Sequence, residues 1–182
     1  MIYLPYTGVG SRRAPKFATQ LMFEMAIYLG KLGMTLRSGH ADGADIAFEN
    51  GADSINASKE IYIPWSGFNG SKFRVEPPPK IWMDMAEKFH PAWNRCSLGA
   101  MKLHARNCPQ VLGVNLDSPS VFLLCWTEQA SGRGGTGQAL RIAKHYGVPI
   151  FDIGAFKDYD TAKDFAREFF RDHLNAIGRT KH

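Results

Sequence analysis

A glycine-rich turn, GRGGTG at positions 132–137, holds the residues best suited to bind an anion. It follows an apolar run, Val121–Trp126, that predicts a buried strand, and it precedes an amphipathic stretch, Gln138–Tyr146, that predicts a helix. The first N–H groups of a helix are unpaired and carry partial positive charge, and glycines let a phosphate approach them. An arginine adds bidentate phosphate contact. The predicted phosphate contacts are Arg133, Gly134, Gly135, Thr136 and Gly137.

Two more glycine-rich loops occur nearer the amino terminus. Thr7–Arg13 follows the short apolar run 3–6, and Ser38–Gly43 follows a predicted strand at 34–37. One such loop is equally consistent with a tight turn. Because parallel α/β sheets bind ligands outside the carboxyl ends of their strands, three loops at one edge favour a phosphate site. The candidate contacts in these two loops are Gly8, Gly10, Ser11, Arg12, Ser38, Gly39, His40, Asp42 and Gly43.

The elements that must position these loops alternate between strand and helix. Further strands are predicted at 60–65 and 148–153, and helical spacing predicts helices at about 15–32, 44–52, 80–89, 97–107 and 159–176. Pro109 is expected to kink or end the fourth helix, and Phe165, Phe169 and Phe170 are expected to face inward in the last. The alternation predicts an α/β fold, a parallel sheet with helices on both faces. We expect a single domain over residues 1–182 with an inserted irregular and helical segment at about 66–110.

Familiar nucleotide-binding and hydrolase motifs are incomplete or absent. Gly8 and Gly10 begin the pattern GxGxxG, but Arg13 occupies the third glycine position, which disfavours an NAD site. The sequence contains neither the P-loop pattern GxxxxGK[ST] nor the GxSxG elbow of serine hydrolases.

Composition narrows the class of protein. The chain has 182 residues, of which 45% are hydrophobic and 21% charged, as in an ordinary globular domain. No apolar run is long enough to cross a bilayer, and a net charge of +5 favours an anionic partner. Cys96, Cys108 and Cys125 form no CxxC pair, which favours a reduced, cytoplasmic compartment and disfavours a zinc site. We therefore expect no metal and no cofactor.

The three loops, in this order, resemble a known superfamily. TGVGSR at 7–12, SGHADGAD at 38–45 and GGTG at 134–137 are similar to the Rossmann-like SLOG superfamily, which includes the DNA processing protein A (Smf) family and the lonely guy phosphoribohydrolases. The second loop resembles the SGxAxGxD signature of the DNA processing side, and LHARN at 103–107 resembles the MHERK helix of the lonely guy side. The resemblance covers roughly Tyr3 to Ile153. It is greatest to phage-encoded DNA processing-like proteins, including the stretch His90–Asn94.

The resemblance also implies roles for single residues. The arginine of the lonely guy helix is catalytic, which implies a catalytic role for Arg106. The glutamate of that family's PGGxGTxxE loop falls on Ala139 here, so hydrolysis would need Glu128 or Asp45 as acid or base. Asp45 is equally suited to contact a ribose hydroxyl or to cap a helix, and Glu128 to be a solvated loop acid. Trp93, in a loop between Ala and Asn, is the candidate for stacking on a base.

These observations predict one function and two alternatives. We expect a homo-oligomeric cytoplasmic protein, without membrane contact, that binds a nucleotide or nucleotide-derived ligand and sequesters a nucleotide signal. The first alternative is hydrolysis of the N-glycosidic bond of a nucleoside monophosphate. The second is single-stranded DNA binding as a recombination mediator. The base, the number of phosphates and turnover stay open at this point.

Overall fold

A parallel sheet organises the chain, and the computed structural model describes residues 3–72 and 74–179. The strands are β1 (Pro5–Gly10), β2 (Thr35–Ser38), β3 (Lys59–Ile61), β4 (Leu123–Trp126) and β5 (Ile150–Asp152). They pair in the order β3-β2-β1-β4-β5, and every pairing is parallel. The predicted α/β parallel sheet is confirmed.

Helices cover both faces of this sheet, as predicted. They are α1 (Lys16–Lys31), α2 (Ala44–Asp53), α3 (Lys80–Phe89), α4 (Leu98–Leu112), α5 (Thr136–His145) and α6 (Tyr159–Arg179). Short 3-10 turns lie at Phe68–Gly70, Trp93–Arg95, Glu128–Ala130 and Ile153–Ala155. Helices α1, α2 and α6 share one apolar core with the sheet, and α3, α4 and α5 share another. In the part of the chain that the structure describes, no helix is both long and apolar enough to cross a bilayer.

Side chains of the central strands β1 and β4 point alternately into the two apolar cores. Tyr6 of β1 and Leu124 of β4 belong to the core beneath α1, whereas Val9, Leu123 and Cys125 belong to the core beneath α4. Successive strand side chains point to opposite faces, so a strand buried on both sides is apolar throughout.

The first strand extends further than the sequence indicated, because the predicted loop at 7–10 is strand. A Cβ on Gly8 would lie 2.7 Å from Phe48 and 2.8 Å from Leu36. The glycine therefore allows α2 to pack closely against the sheet, and the chain turns only after Gly10.

Two predictions about helices were wrong in detail. Helix α4 continues through Pro109 to Leu112, and Val111 and Leu112 are fully buried in the second core. Their burial favours continuing the helix despite the missing proline donor. Phe165 does not face the core: it is 52% exposed and lies against Phe156, with ring centroids 5.1 Å apart.

Candidate anion site at the carboxyl edge of the sheet

A cleft of about 1160 Å³ opens at the carboxyl ends of β1 and β4. The two strands are neighbours, but α1 follows β1 onto one face of the sheet and α5 follows β4 onto the other. The loops therefore diverge and leave a crevice, which is the usual ligand position in open α/β sheets. Residues of α4 close the remaining side.

The loops after β1 and β4 bring many of the predicted contacts to this cleft. The lining includes Gly10, Ser11, Arg12, Arg133, Gly134, Gly135 and Thr136. The three candidate catalytic residues, Arg106, Glu128 and Asp45, line it as well. Sequence elements more than a hundred residues apart thus meet at one edge.

The other predicted site residues lie outside the cleft lining. They are Gly8, Ser38, Gly39, His40, Asp42, Gly43, Gly137 and Trp93. Ser38 donates its hydroxyl to the Gly8 carbonyl (2.7 Å), and His40 Nδ1 lies 3.0 Å from the Glu49 carboxylate. These groups of the β2 loop already have partners within the protein.

Glycines 43 and 137 allow close backbone packing. Gly43 has a φ of +79°, and a Cβ there would meet the Ser11 carbonyl at 2.7 Å, so the loops after β1 and β2 touch. A Cβ on Gly137 would meet the Gly132 carbonyl at 2.4 Å. Nearby, the exposed Asp42 accepts a hydrogen bond from Asn69 (3.0 Å). Gly43 and Gly137 are therefore needed because a side chain at either position would collide with neighbouring backbone.

Asp45 ties the first two loops together. Its Oδ1 accepts from the Gly10 N–H (3.1 Å), and its Oδ2 accepts from the Ala41 N–H and from Arg106 Nη1, both at 3.4 Å. Burial raises the pKa of the Asp45 carboxyl, and the Arg106 charge opposes that shift. Both oxygens are used internally, so the residue acts mainly as a structural tie.

Arg106 is a buried cation at the cleft, only 7% exposed. Its guanidinium stacks over Phe68, with Cζ 5.6 Å from the ring centroid. The side-chain amide of Gln110 is oriented with its oxygen toward Arg106. That oxygen accepts hydrogen bonds from Arg106 Nη1 (2.6 Å) and from the Gly39 N–H (3.2 Å). Burial lowers the pKa of Arg106, the Asp45 charge opposes the shift, and an arginine stays protonated. Its buried Nε has no hydrogen-bond partner among the described residues.

Two hydrogen bonds fix the turn before α5, and two of its glycines have open space beside them. The Gly132 N–H donates to Thr127 Oγ1 (3.0 Å), and Asn107 donates to the Gly135 carbonyl (3.0 Å). A Cβ at Gly134 or Gly135 would meet nothing within 4 Å. The Gly137 and Gln138 N–H groups donate to the Gly134 and Gly135 carbonyls (3.1 and 3.4 Å), so an anion at the start of α5 would use the amides that precede them.

Arginines give the rim of the cleft a positive charge. Arg12 and Arg133 are exposed and form no ion pair within residues 3–72 and 74–175. Arg13 pairs with Glu128 at 3.2 Å, but their side chains are 80% and 65% exposed, so the pair is weak. The charges that face the opening thus favour an anion.

A compact group of nitrogen and sulfur ligands lies beside the cleft. His90 and His104 belong to its lining, and their rings lie 4.3 Å apart, while Cys96 Sγ lies 3.7 Å from His90 Nδ1. Burial, with electrostatic repulsion from His90 in its protonated form as the second cause, lowers the pKa of His104 to about 4. Trp93 is half-buried against the second core and meets His90 edge-on, with centroids 6.1 Å apart.

Several residues that shape the cleft were not predicted from the sequence. Asn107 and Gln110 lie one and four residues after Arg106 on α4, and Gln110 shares its helix face. Thr127 follows β4 directly and donates its N–H to Asp152 (2.9 Å), which fixes the next turn. Gln110 could have been predicted from the sequence, because a residue four positions after Arg106 lies on the same face of a helix. No sequence pattern indicates Asp152.

The sheet order and the cleft at its switch point define a doubly wound, Rossmann-like α/β protein. No family model and no curated protein matches the sequence. Among solved structures the chain is similar to DNA processing protein A from Helicobacter pylori, whose report concerns its single-stranded DNA binding mode. The TM-score is 0.58 at 18% identity, over 98% of this chain and 82% of that one. The chain therefore has the fold of DNA processing protein A, as the sequence resemblance implied.

Proposed function

We propose that the cleft binds the phosphate of a nucleotide or nucleotide-derived ligand. The observation that carries this proposal is Arg106, a buried cation that lines the cleft. Its Nε has no hydrogen-bond partner in the described chain and is shielded from solvent, so a phosphate would reach it only after a small shift of the side chain. Leaving a buried donor unpaired is costly, and a phosphate oxygen is a strong acceptor for a guanidinium.

The start of α5 supplies the second half of this phosphate site. The backbone at Gly134 and Gly135 is unobstructed, and Thr136 begins the helix beside it. A helix start favours an anion by typically 0.3–1 kcal/mol. The exposed Arg12 and Arg133 add positive charge at the rim, where the other end of a phosphate chain or a second phosphate would lie.

A second candidate function is single-stranded DNA binding. It is favoured by the volume of the cleft, by its exposed arginines and by the fold shared with a protein that binds single-stranded DNA. Binding of this kind combines a positive groove along the backbone with stacking of bases. Trp93 is half-buried against the core, so we assign phosphate contact the larger part of the affinity.

Hydrolysis of an N-glycosidic bond is less well supported by the geometry. The Asp45 carboxylate is buried and accepts backbone hydrogen bonds from Gly10 and Ala41, so it is poorly placed to take up a proton from a substrate. Glu128 is exposed and paired with Arg13. Incubation with nucleoside monophosphates followed by chromatography tests this function, since release of free base that Glu128→Gln abolishes would establish it.

Ligand binding is tested by thermal shift with nucleoside mono-, di- and triphosphates and pyrophosphate. A ligand at a hundred times its Kd stabilises the folded state by about 2.7 kcal/mol. Arg133→Ala should reduce the shift, whereas Arg167→Ala on α6 should not, because Arg167 lies outside the cleft lining and pairs with Asp164. No shift with any ligand, or equal effects of both substitutions, would contradict the proposal.

Fluorescence anisotropy with a labelled oligonucleotide separates the DNA function from binding of a small ligand. If the arginines contact DNA phosphates, the logarithm of the affinity falls with the logarithm of the salt concentration by about 0.7 per contact. Arg12→Ala and Arg133→Ala should each reduce that slope, and Arg167→Ala should leave it unchanged. If neither Arg12→Ala nor Arg133→Ala changes the salt dependence of binding, the proposal that the cleft binds single-stranded DNA is contradicted.

A further inference from the structure

His90, Cys96 and His104 are brought together by three short elements. His90 directly follows α3, Cys96 directly follows the 3-10 turn at 93–95, and His104 lies in the second turn of α4. The Ser97 side chain accepts a hydrogen bond from the Ala100 N–H (3.3 Å) and caps α4. The cap residue directly follows Cys96 and fixes the start of the helix at Leu98, so the thiol has a defined position relative to His104.

The distances within this cluster suit a small metal ion. One ligand atom from each residue lies within 4.8 Å of the other two, and Cys96 Sγ is 3.7 and 3.9 Å from the two ring nitrogens of His90. Zinc bonds of about 2.3 Å to sulfur and 2.0–2.1 Å to nitrogen place tetrahedral ligands roughly 3.3–3.6 Å apart. Small rotations of the side chains are enough to reach that spacing.

The cluster also contains an unpaired buried group. His104 Nδ1 is fully buried and has no hydrogen-bond partner within the described part of the chain. A buried polar atom without a partner is uncommon in folded proteins and calls for an explanation such as a bound ion. This observation is independent of the distances.

We propose that His90, Cys96 and His104 bind Zn²⁺ at the edge of the cleft. Two imidazoles and one thiolate form a set that prefers zinc over magnesium or calcium. Binding deprotonates the Cys96 thiol, and the proton passes to solvent. Three protein ligands leave a fourth position, and the two histidines line the cleft, so that position faces the space where a ligand would bind.

Local contacts compete with the metal but do not block it. The Ala92 N–H donates to His90 Nδ1 (3.2 Å), and the Cys96 thiol contacts the Ala92 carbonyl (3.6 Å). Ligation through Nδ1 and the thiolate replaces these weak contacts. Arg141 and Arg106 are neighbouring cations, and the Arg141 guanidinium donates to the Phe89 carbonyl (2.8 Å). The negative charge of the thiolate offsets the repulsion between these arginines and the metal ion.

Metal binding can be measured on the full chain, free of affinity tag and treated with chelator. Calorimetry should give one Zn²⁺ per chain, and Co²⁺ should produce a thiolate-to-metal charge-transfer band in the near ultraviolet. Cys96→Ser should abolish the band, and His104→Asn should weaken Zn²⁺ binding by more than about tenfold, since even outer-shell changes cost that much. His145→Asn is the matched control and should change neither, because His145 lies outside the cluster.

Alkylation of the wild-type protein gives a test that requires no variant to fold. Cys96 is half-buried, whereas Cys108 and Cys125 are buried. Zn²⁺ should therefore slow alkylation of Cys96 at least tenfold while the other two thiols stay unreactive with or without metal. Absence of stoichiometric binding, or binding that leaves Cys96 equally reactive and survives both Cys96→Ser and His104→Asn, would overturn the proposal.

Discussion

Two glycine-rich loops of this protein look alike in sequence and differ in structure. In the loop after β2, a Cβ on Gly39 would lie 1.2 Å from Arg106 Nη1 and 2.1 Å from Gln110. Before α5, a Cβ on Gly134 or Gly135 would meet nothing within 4 Å. A glycine-rich loop in the sequence therefore does not show whether the space beside its backbone is filled. In the first loop the protein itself fills that space, and in the second there is room for a ligand.

The largest effect on stability is expected from a substitution at Arg106, whose side chain fills the space beside the loop after β2. Arg106→Met leaves the Asp45 charge buried without its cation, and loss of one partner of a buried pair costs about 3–5 kcal/mol. We expect urea unfolding to show a loss of this size at pH 7. The double variant Arg106→Met/Asp45→Asn should recover part of it.

The pH dependence of that variant has a defined sign. Burial already raises the pKa of Asp45, and removal of Arg106 raises it further because the guanidinium opposed the shift. A carboxyl with a raised pKa contributes its stability below its ordinary pKa and loses it as the pH rises through the folded value. The cost of Arg106→Met should therefore shrink from pH 7 to pH 5, and a constant cost would show that Asp45 does not carry the effect.

Substitution of one glycine in each loop by alanine compares the effect of the two loops on stability. Gly39→Ala overpacks the space that Arg106 and Gln110 occupy and should cost about 2–3 kcal/mol. Gly135→Ala has free space and an ordinary φ of −60°, so its effect should stay within about 0.5 kcal/mol. Equal destabilisation in urea unfolding would contradict the distinction between a filled and an open loop.

Local pattern was enough to predict most of the fold. Apolar residues at helical spacing gave α3 its observed bounds, Lys80–Phe89, and alternation of strands and helices gave the parallel sheet. Errors arose where tertiary packing decides. Gly8 reads as a loop residue but lies in β1 because Phe48 packs against it, and Pro109 stays within α4 because the residues after it are buried.

The candidate site could be predicted less completely. Loop chemistry indicated the edge of the sheet at which the cleft opens, since parallel strands present their carboxyl ends together. It could not show which glycine loop would be filled, because that depends on α4 placing Arg106 against Gly39 in the loop after β2. Nor did the spacing of His90, Cys96 and His104 match a zinc motif, since the three meet only through the turn between α3 and α4.

A smaller effect is expected at the open side of the cleft. Glu128 neutralises Arg13 at the rim, and both are exposed. Glu128→Gln should raise the affinity for an anionic ligand by about two- to threefold, the size of a surface ion pair, with little change in stability. Asp164→Asn, which frees Arg167 on α6, is the matched control and should leave the affinity unchanged. Weaker binding in Glu128→Gln would assign the carboxylate a direct role in holding the ligand.

The most direct test of the anion site is a map of amide shifts on the ¹⁵N-labelled protein. Titration with pyrophosphate, and separately with a short single-stranded oligonucleotide, should shift the backbone amides of residues 10–13 and 132–136. The amides of the filled loop, residues 39–43, should change little. Shifts confined to that loop or to α6, or no shifts at all, would contradict the account.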